Sequence, residues 1–184
     1  MNSQNWTISK TFAWEGGHVV HNQALNRPAL SVTTKCQCKS LHGHSYSAIV
    51  SLSANNLNDQ GMVLDFLELG FVKQFIDEVL DHKFILDLST PNFKIITSLP
   101  DKHMLDLRAQ IERKGYCQVG DSFRAPDDGM QEHWESFVVV DFVPTSENIC
   151  KWLHGLFQAQ LGTIANVSAI ELWETAKSHC RYQP

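Results

Sequence analysis

The chain lacks any stretch of about 18 or more apolar residues, so no transmembrane helix is expected. Its first residues, "MNSQNWTISKTF", lack a basic region followed by an apolar run, so no secretory leader is expected. A disulfide framework is missing too. The five cysteines, Cys36, Cys38, Cys117, Cys150 and Cys180, are odd in number and unevenly spread, which points to a reducing, cytoplasmic setting. There is no excess of positive charge. The net charge of -5 disfavours a nucleic-acid binder, whose phosphate partner selects basic faces, but leaves room for a small phosphorylated ligand. Internal repeats and low-complexity segments are absent. What is there is 184 residues, 43% hydrophobic, enough to bury the core of a single domain spanning residues 1–184.

Hydrophobic spacing divides the chain. In "WTISKTFAW" the residues Trp6, Ile8, Phe12 and Trp14 share one parity, which predicts a strand over 6–14. "EGGHVVHNQALNRPAL" reads as a break and a loop. Residues 41–54 alternate cleanly, with His42, His44, Tyr46, Ala48, Val50 and Leu52 on one face. "NNLNDQG" has turn chemistry, and "MVLDF" reads as a short strand. From Leu67 to about Leu80 the spacing is helical, with Leu69, Val72, Phe75, Ile76, Val79 and Leu80 on one side, and "DHKFIL" ends that helix. Residues 88–135 break the rhythm and read as an insertion. "DKHMLDLRAQIERKG" suits a short helix, and "YCQVGDSFRAPDDGMQEHWE" has loop composition. "SFVVVDFV" reads as a buried strand. Thr145 or Ser146 caps a helix whose stripe is Ile149, Trp152, Leu153, Leu156 and Phe157, and which Gly162 ends. "NVSAIELWETA" is the final strand. Short connections favour a mainly antiparallel sheet with two helices on one face.

The stretch "CQCKSLHGHSY" carries the chemistry. Residues i and i+2 of a strand project from one face, so His42 and His44 converge and offer two metal ligands. "WEGGHVVH" offers His18 or His21 as a third. Three histidines with a vacant position make a catalytic zinc arrangement, whereas four protein ligands close a structural one. A closed site of Cys36, Cys38, His42 and His44 is the alternative, although C-x-C is tighter than the usual cysteine spacing.

Six motifs in order, "WEGGH", "CKSLHGHSY", "GMVLDFLEL", "LDHKFIL", "PTSEN" and "ELWET", resemble the family of 6-pyruvoyltetrahydropterin and 6-carboxytetrahydropterin synthases. The resemblance covers about residues 6–87 and 137–182. It implies an α+β tunnelling fold: a four-stranded antiparallel sheet with two helices on one face, assembled into a trimeric barrel and commonly a hexamer, with no role for nucleic acid or membrane. It implies Zn2+ on His18, His42 and His44, an acid–base relay of Asp81 and His82, a pterin-gripping Glu174 that also joins the proton relay, and a pocket lined by Thr145, Ser146 and Glu147. The implied substrate is 7,8-dihydroneopterin triphosphate. In the 6-carboxy branch the catalytic cysteine lies four residues before the first histidine of "HGH", where Cys38 stands. In the 6-pyruvoyl branch it lies six before, where Cys36 stands. Cys38 and the compact "PTSEN" favour a lyase that makes 6-carboxy-5,6,7,8-tetrahydropterin on the route to queuosine. The alternatives are a 6-pyruvoyltetrahydropterin synthase, which eliminates triphosphate from the same substrate, and a non-catalytic oligomer binding zinc and pterin.

The residue types suit that chemistry. A thiolate is a soft base that works near neutral pH once a nearby cation lowers its pKa from about 8.5. A histidine donates protons near neutrality. A carboxylate on an apolar face, as Glu174 is by its parity with Ile170 and Leu172, calls for a paired donor, and a pterin ring edge supplies two. Arg27, Lys35, Lys39 and Lys151 are candidates for the triphosphate. Three features depart from the family pattern: Gly16–Gly17 where alanine is more common, Val19 where arginine is frequent, and the long insertion at 88–135.

Overall fold

The computed structural model describes residues 5–24 and 37–184. Strand β1 (Trp6–His18) carries its alternation past Trp14, where a loop was expected. A Cβ on Gly17 would lie 2.3 Å from the Phe84 ring and 2.7 Å from the His42 carbonyl oxygen. Main chain and ring approach too closely there for alanine. Strand β2 (His42–Ala54) buries Tyr46, Ala48, Val50 and Leu52, the face that the alternation predicts.

"MVLDF" forms no strand, because its polar neighbours commit it to turns. The Asn58 carboxamide oxygen accepts from the Gln60 and Met62 amides at 3.0 Å, and Asp65 caps the next turn by accepting from Leu67 N at 2.8 Å. One tight turn (Phe66–Leu69) leads into α1 (Gly70–Phe75) and a wide π turn (Ile76–Leu80), burying Leu69, Val72, Ile76, Val79 and Leu80.

The next segment corrects the expectation further. "DHKFIL" does not merely end a helix: it enters β3 (Lys83–Asp87), which runs parallel to β1. The excursion is helical, with α2 (Phe93–Thr97), α3 (Met104–Lys114), the short strand β4 (Cys117–Gln118), α4 (Val119–Ser122) and α5 (Asp128–Glu135). Asp127 caps α5 by accepting from Met130 N at 2.8 Å, although its neighbourhood had read as loop. Strand β5 (Phe137–Val140) is buried throughout and parallel to β3. Helix α6 (Ser146–Leu161) buries Ile149, Leu153 and Phe157 and ends at Gly162, whose φ of +56° suits glycine. Strand β6 (Asn166–Thr175) is not the last. A further strand, β7 (Ser178–Tyr182), pairs antiparallel with it.

The strand order is β4-β5-β3-β1-β2-β6-β7. The class is α+β, but the four-stranded antiparallel sheet with two helices is corrected to a mixed sheet that has seven strands among the described residues, with helices α1–α6. The reason is the excursion. Parallel neighbours need a crossover of a dozen or more residues, and 88–136 supplies one between β3 and β5.

The chain divides into two compact units. The described part of the first comprises 5–15, 44–81 and 146–184. Its interior includes Trp14 stacked on Tyr46 with centroids 5.1 Å apart, and Phe75 edge-on to Phe157. The described part of the second comprises 16–24, 37–43 and 82–145. Its core gathers Leu86, Phe93, Leu107, Ile111, Val119 and Trp134. No helix among the described residues is long and apolar enough to cross a membrane.

Candidate metal centre and active site

His18 closes β1 and is 2% exposed. Its Nδ1 lies 2.6 Å from the Pro144 carbonyl oxygen. A carbonyl only accepts, so Nδ1 carries the proton and Nε2 a lone pair. His42 opens β2, and its Nδ1 donates in the same way to the Ser40 carbonyl at 2.8 Å. The two Nε2 atoms then face each other at 3.0 Å. Two lone pairs at that distance repel unless a cation lies with them. His44 follows on the same face of β2, and the three histidines bring their ligand nitrogens within 4.8 Å of one another. Zinc–nitrogen bonds of about 2.0–2.1 Å in a tetrahedron need nitrogens about 3.4 Å apart, so the donor set fits such an ion after small adjustments. Backbone carbonyls behind metal-binding imidazoles are the usual device for fixing tautomer and orientation.

His21, the other candidate third ligand, goes elsewhere. Its Nδ1 is 3.8 Å from Asp87 Oδ2, and Asp87 is itself fixed by the Ser89 amide and hydroxyl at 2.8 and 2.6 Å. Among the described residues the metal cluster contains no cysteine. Cys36, Lys35 and Arg27 lie outside the described residues.

The other candidates are placed as follows. Cys38 is a half-buried cysteine in the turn Gln37–Lys39. Its carbonyl accepts from Val20 N at 2.8 Å, which ties the turn to the chain two residues beyond His18. Asp81 follows the wide turn, and its Oδ1 accepts from Glu15 N at 3.1 Å. Glu15 in turn accepts the Ser45 hydroxyl at 2.9 Å. Asp81 is thereby fixed to a strand three residues short of His18. His82 is exposed with φ of 58°, an uncommon backbone state for a residue other than glycine. Thr145, Ser146 and Glu147 span the start of α6, directly after the Pro144 carbonyl that holds His18. Glu174 is the extra residue where the β6–β7 register shifts between Trp173 and Thr175. A bulge of this kind re-aims a side chain. Burial, and then the Glu174 charge, push the Tyr46 phenol above its ordinary range, so Glu174 acts on Tyr46. Burial first, then Glu147 and Glu174, raise the Cys180 thiol, against a lowering hydrogen bond from Cys150.

Three contributors escaped the sequence reading. Tyr46 shares the parity of His42 and His44, and that parity was the available signal. The Pro144 and Ser40 carbonyls act through main-chain atoms, for which residue type gives none.

Residues 7–184 match the family model for 6-pyruvoyl tetrahydropterin synthase. A 6-carboxy-5,6,7,8-tetrahydropterin synthase of Aquifex aeolicus is 29% identical over 187 residues, covering 97% of this chain and 98% of that protein. One of Haemophilus influenzae is 26% identical over 182 residues, covering 96% and 97%. Among solved structures, an uncharacterized protein of Wolinella succinogenes superposes with a TM-score of 0.83 at 37% identity, covering 98% of this chain and 99% of that one. The chain belongs to the 6-pyruvoyl tetrahydropterin synthase family.

Proposed function

We propose that this family member is a zinc-dependent lyase converting 7,8-dihydroneopterin triphosphate to 6-carboxy-5,6,7,8-tetrahydropterin, on the route to queuosine and related 7-deazapurines. The carrying observation is the pair of Nε2 lone pairs of His18 and His42 facing each other beside His44. That arrangement suits a shared cation, and the third nitrogen, from His44, favours a metal ion. A bound zinc ion would act as a Lewis acid toward the oxygens of the substrate side chain.

The protein's own groups do the rest. The Cys38 thiolate takes the carbon-bound proton of the side chain next to the ring. The turn that carries Cys38 is tied to the strand end at His18 by the Val20 hydrogen bond, which limits where the thiol can reach. His82 returns a proton, with Asp81 as its neighbouring carboxylate. Glu174 accepts the ring N–H and exocyclic amino donors, and also serves the proton relay. Thr145, Ser146 and Glu147 form the wall beside it. Residues 1–184 work as one domain in which 88–135 is an insertion. Nearly complete coverage of the Aquifex and Haemophilus relatives leaves room for a segment of similar length in both, and both are named for the 6-carboxy product. The open sheet ends at β4 and β7 favour a homo-oligomer, a trimer or hexamer, over a monomer. Nucleic acid has no place in this reading, and the setting is cytoplasmic.

The second reading is a 6-pyruvoyltetrahydropterin synthase. It is favoured by Cys36, six residues before His42, and by the name of the matched family model. The zinc-loaded protein incubated with dihydroneopterin triphosphate separates the two by mass. Acetaldehyde release with a 6-carboxy product supports the first, and a 6-pyruvoyl product supports the second. Cys38→Ala is expected to abolish turnover with zinc retained, and Cys36→Ala to keep most activity. The opposite pattern moves the base to Cys36.

A further inference from the structure

The turns that follow β1 and β3 bring a further histidine beside a buried carboxylate. Val19 and Leu86 pack into the core of the excursion. Strand alternation therefore places His18, Ile85 and Asp87 on the opposite face of the sheet, and His18 is level with Ile85 in the parallel register. Asp87 thus lies on the histidine face, two residues, or about 7 Å, beyond the level of His18. His21 reaches it from the turn after β1, next to Val20, whose amide donates to the Cys38 carbonyl.

Asp87 is 2% exposed. Ser89 gives it two neutral donors, its amide and its hydroxyl, which leave the buried charge unmatched. His21 Nδ1 faces it at 3.8 Å, buried and without a hydrogen-bond partner. A carboxylate only accepts, so that nitrogen carries the proton, and a ring movement of about 1 Å makes the hydrogen bond. Nε2 then keeps the lone pair. The His21 side chain is 16% exposed, and since Nδ1 is buried, the open edge of the ring is the other one. A carboxylate that holds an imidazole by Nδ1 and leaves Nε2 open makes that ring a general base. In the turn after Asp87, Thr90 Oγ1 is also buried without a partner, and orphaned polar atoms are where a bound water belongs.

The proposed reaction needs such a base for water. Outside the triphosphate, the substrate side chain carries two oxygens, whereas the 6-carboxy group and acetaldehyde together hold three. One water must enter. The bond between the first and second side-chain carbons breaks, and its electron pair reduces the C=N bond of the dihydro ring, so no outside oxidant or reductant takes part. The second carbon leaves as acetaldehyde, and the water oxygen bonds to the first. Two protons from water and one from the hydroxyl of the second carbon pass to the ring nitrogen, the ring carbon and the new carboxyl group. A 6-pyruvoyl product takes up no water.

We propose, resting on the 6-carboxy reading, that His21 is the base that takes the proton of this water during carbon–carbon cleavage, and that Asp87 is its positioning residue.

The zinc-loaded full chain, turned over in water labelled with heavy oxygen, is expected to give a carboxylate carrying one labelled atom. His21→Gln should slow acetaldehyde release about 100-fold or more, as loss of a general base does, while triphosphate release falls less than about 3-fold and uncleaved three-carbon product accumulates. A merely structural role would slow both releases together. Asp87→Asn should show the same split more weakly. In the metal-free protein, NMR of labelled ring nitrogens should find the neutral His21 ring protonated at Nδ1, a preference that Asp87→Asn should erode. His21 lies in a turn and is partly exposed, so His21→Gln is expected to melt with the parent. The proposal is overturned by acetaldehyde release at the parent rate in His21→Gln, by equal loss of both releases, by an Nε2–H ring in the parent, or by an unlabelled carboxylate. A parent that releases triphosphate but no acetaldehyde overturns the 6-carboxy reading itself, and the proposal with it.

Discussion

The histidine ends of β1 and β2 and the excursion between β3 and β5 are ordered by different forces. At the strand ends, directional hydrogen bonds aim a few polar atoms: Pro144 O holds His18 and Ser40 O holds His42. In the excursion, apolar burial fixes a cluster around Trp134, Leu107 and Val119, which are at most 1% exposed. The difference separates function from stability. Damage to the first region should remove the metal and spare most of the fold. Damage to the second should weaken the fold and spare metal stoichiometry.

The largest effect tests the first half of that statement. His42→Ala removes one of three nitrogen donors and leaves His18 Nε2 without its facing partner. Losing a hydrogen-bond partner behind a ligand typically costs about 10–100-fold in metal affinity, so losing the ligand itself should cost at least about 100-fold. Metal analysis after dialysis should show the zinc gone, and thermal unfolding of the metal-free form should stay cooperative. Full retention of zinc would show that the histidines do not form the site.

Trp134→Ala tests the other half. Truncating a buried tryptophan costs about 3–5 kcal/mol through lost transfer energy and a cavity. Chemical denaturation should report that loss, with one zinc per chain still bound at low temperature. If zinc is lost while the protein remains folded, the two regions are coupled and the contrast fails.

Gly17→Ala sits where the two kinds of order meet. A Cβ there needs space held by the Phe84 ring and the His42 carbonyl. Overpacking of this kind costs about 1–3 kcal/mol. Because His42 is displaced through its own main chain, zinc affinity should fall as well. Phe84→Leu in the Gly17→Ala background should recover stability more than affinity, since the main-chain clash remains. Equal recovery of both would assign the whole effect to the ring.

How far the sequence revealed this depends on the same contrast. The parity of His42, His44 and Tyr46 is visible because β2 buries one face and wets the other. The stripe of α6 is visible for a like reason, with Ile149, Leu153 and Phe157 inside and Lys151 outside. Strands β3 and β5 hide their pairing. Phe137–Val140 is buried on both sides, so its run of apolar residues has no period from which to read a parallel partner. "MVLDF" misled because Asn58 and Asp65 decide its backbone from outside the apolar positions. Most remote is the His18–Pro144 bond, which joins residues 126 apart and depends on tertiary folding alone. The pair His42 and His44 could be read from strand spacing, and His18 rather than His21 only through the family resemblance, but the carbonyls that aim His18 and His42 could not be read at all.

The smallest expected effect concerns a buried thiol away from the histidines. Cys150 lies on α6, and its thiol is close to the Cys180 carbonyl, 3.6 Å from Sγ. Burial, with further contributions from Cys180, pushes the Cys150 thiol up to about 12. The unfolded chain releases this proton near about 8.5, the ordinary cysteine value. Between those values the folded state holds one more proton than the unfolded state, so stability falls as pH rises through that window. Below about pH 8 both states are protonated, and the group adds no pH dependence. One proton corresponds to a slope of about 1.4 kcal/mol per pH unit. Tyr46 adds a similar fall at higher pH, since its phenol is also raised. Denaturant unfolding at several pH values from 8 upward should therefore show a steeper decline in the parent than in Cys150→Ala, with the curves parallel below about pH 8. Because Cys150→Ala also leaves a small cavity, its curve should start lower, and the slopes rather than the heights decide the matter. Equal slopes in parent and variant between about pH 9 and 10 would mean that the thiol titrates alike in both states, and that its burial has no electrostatic consequence.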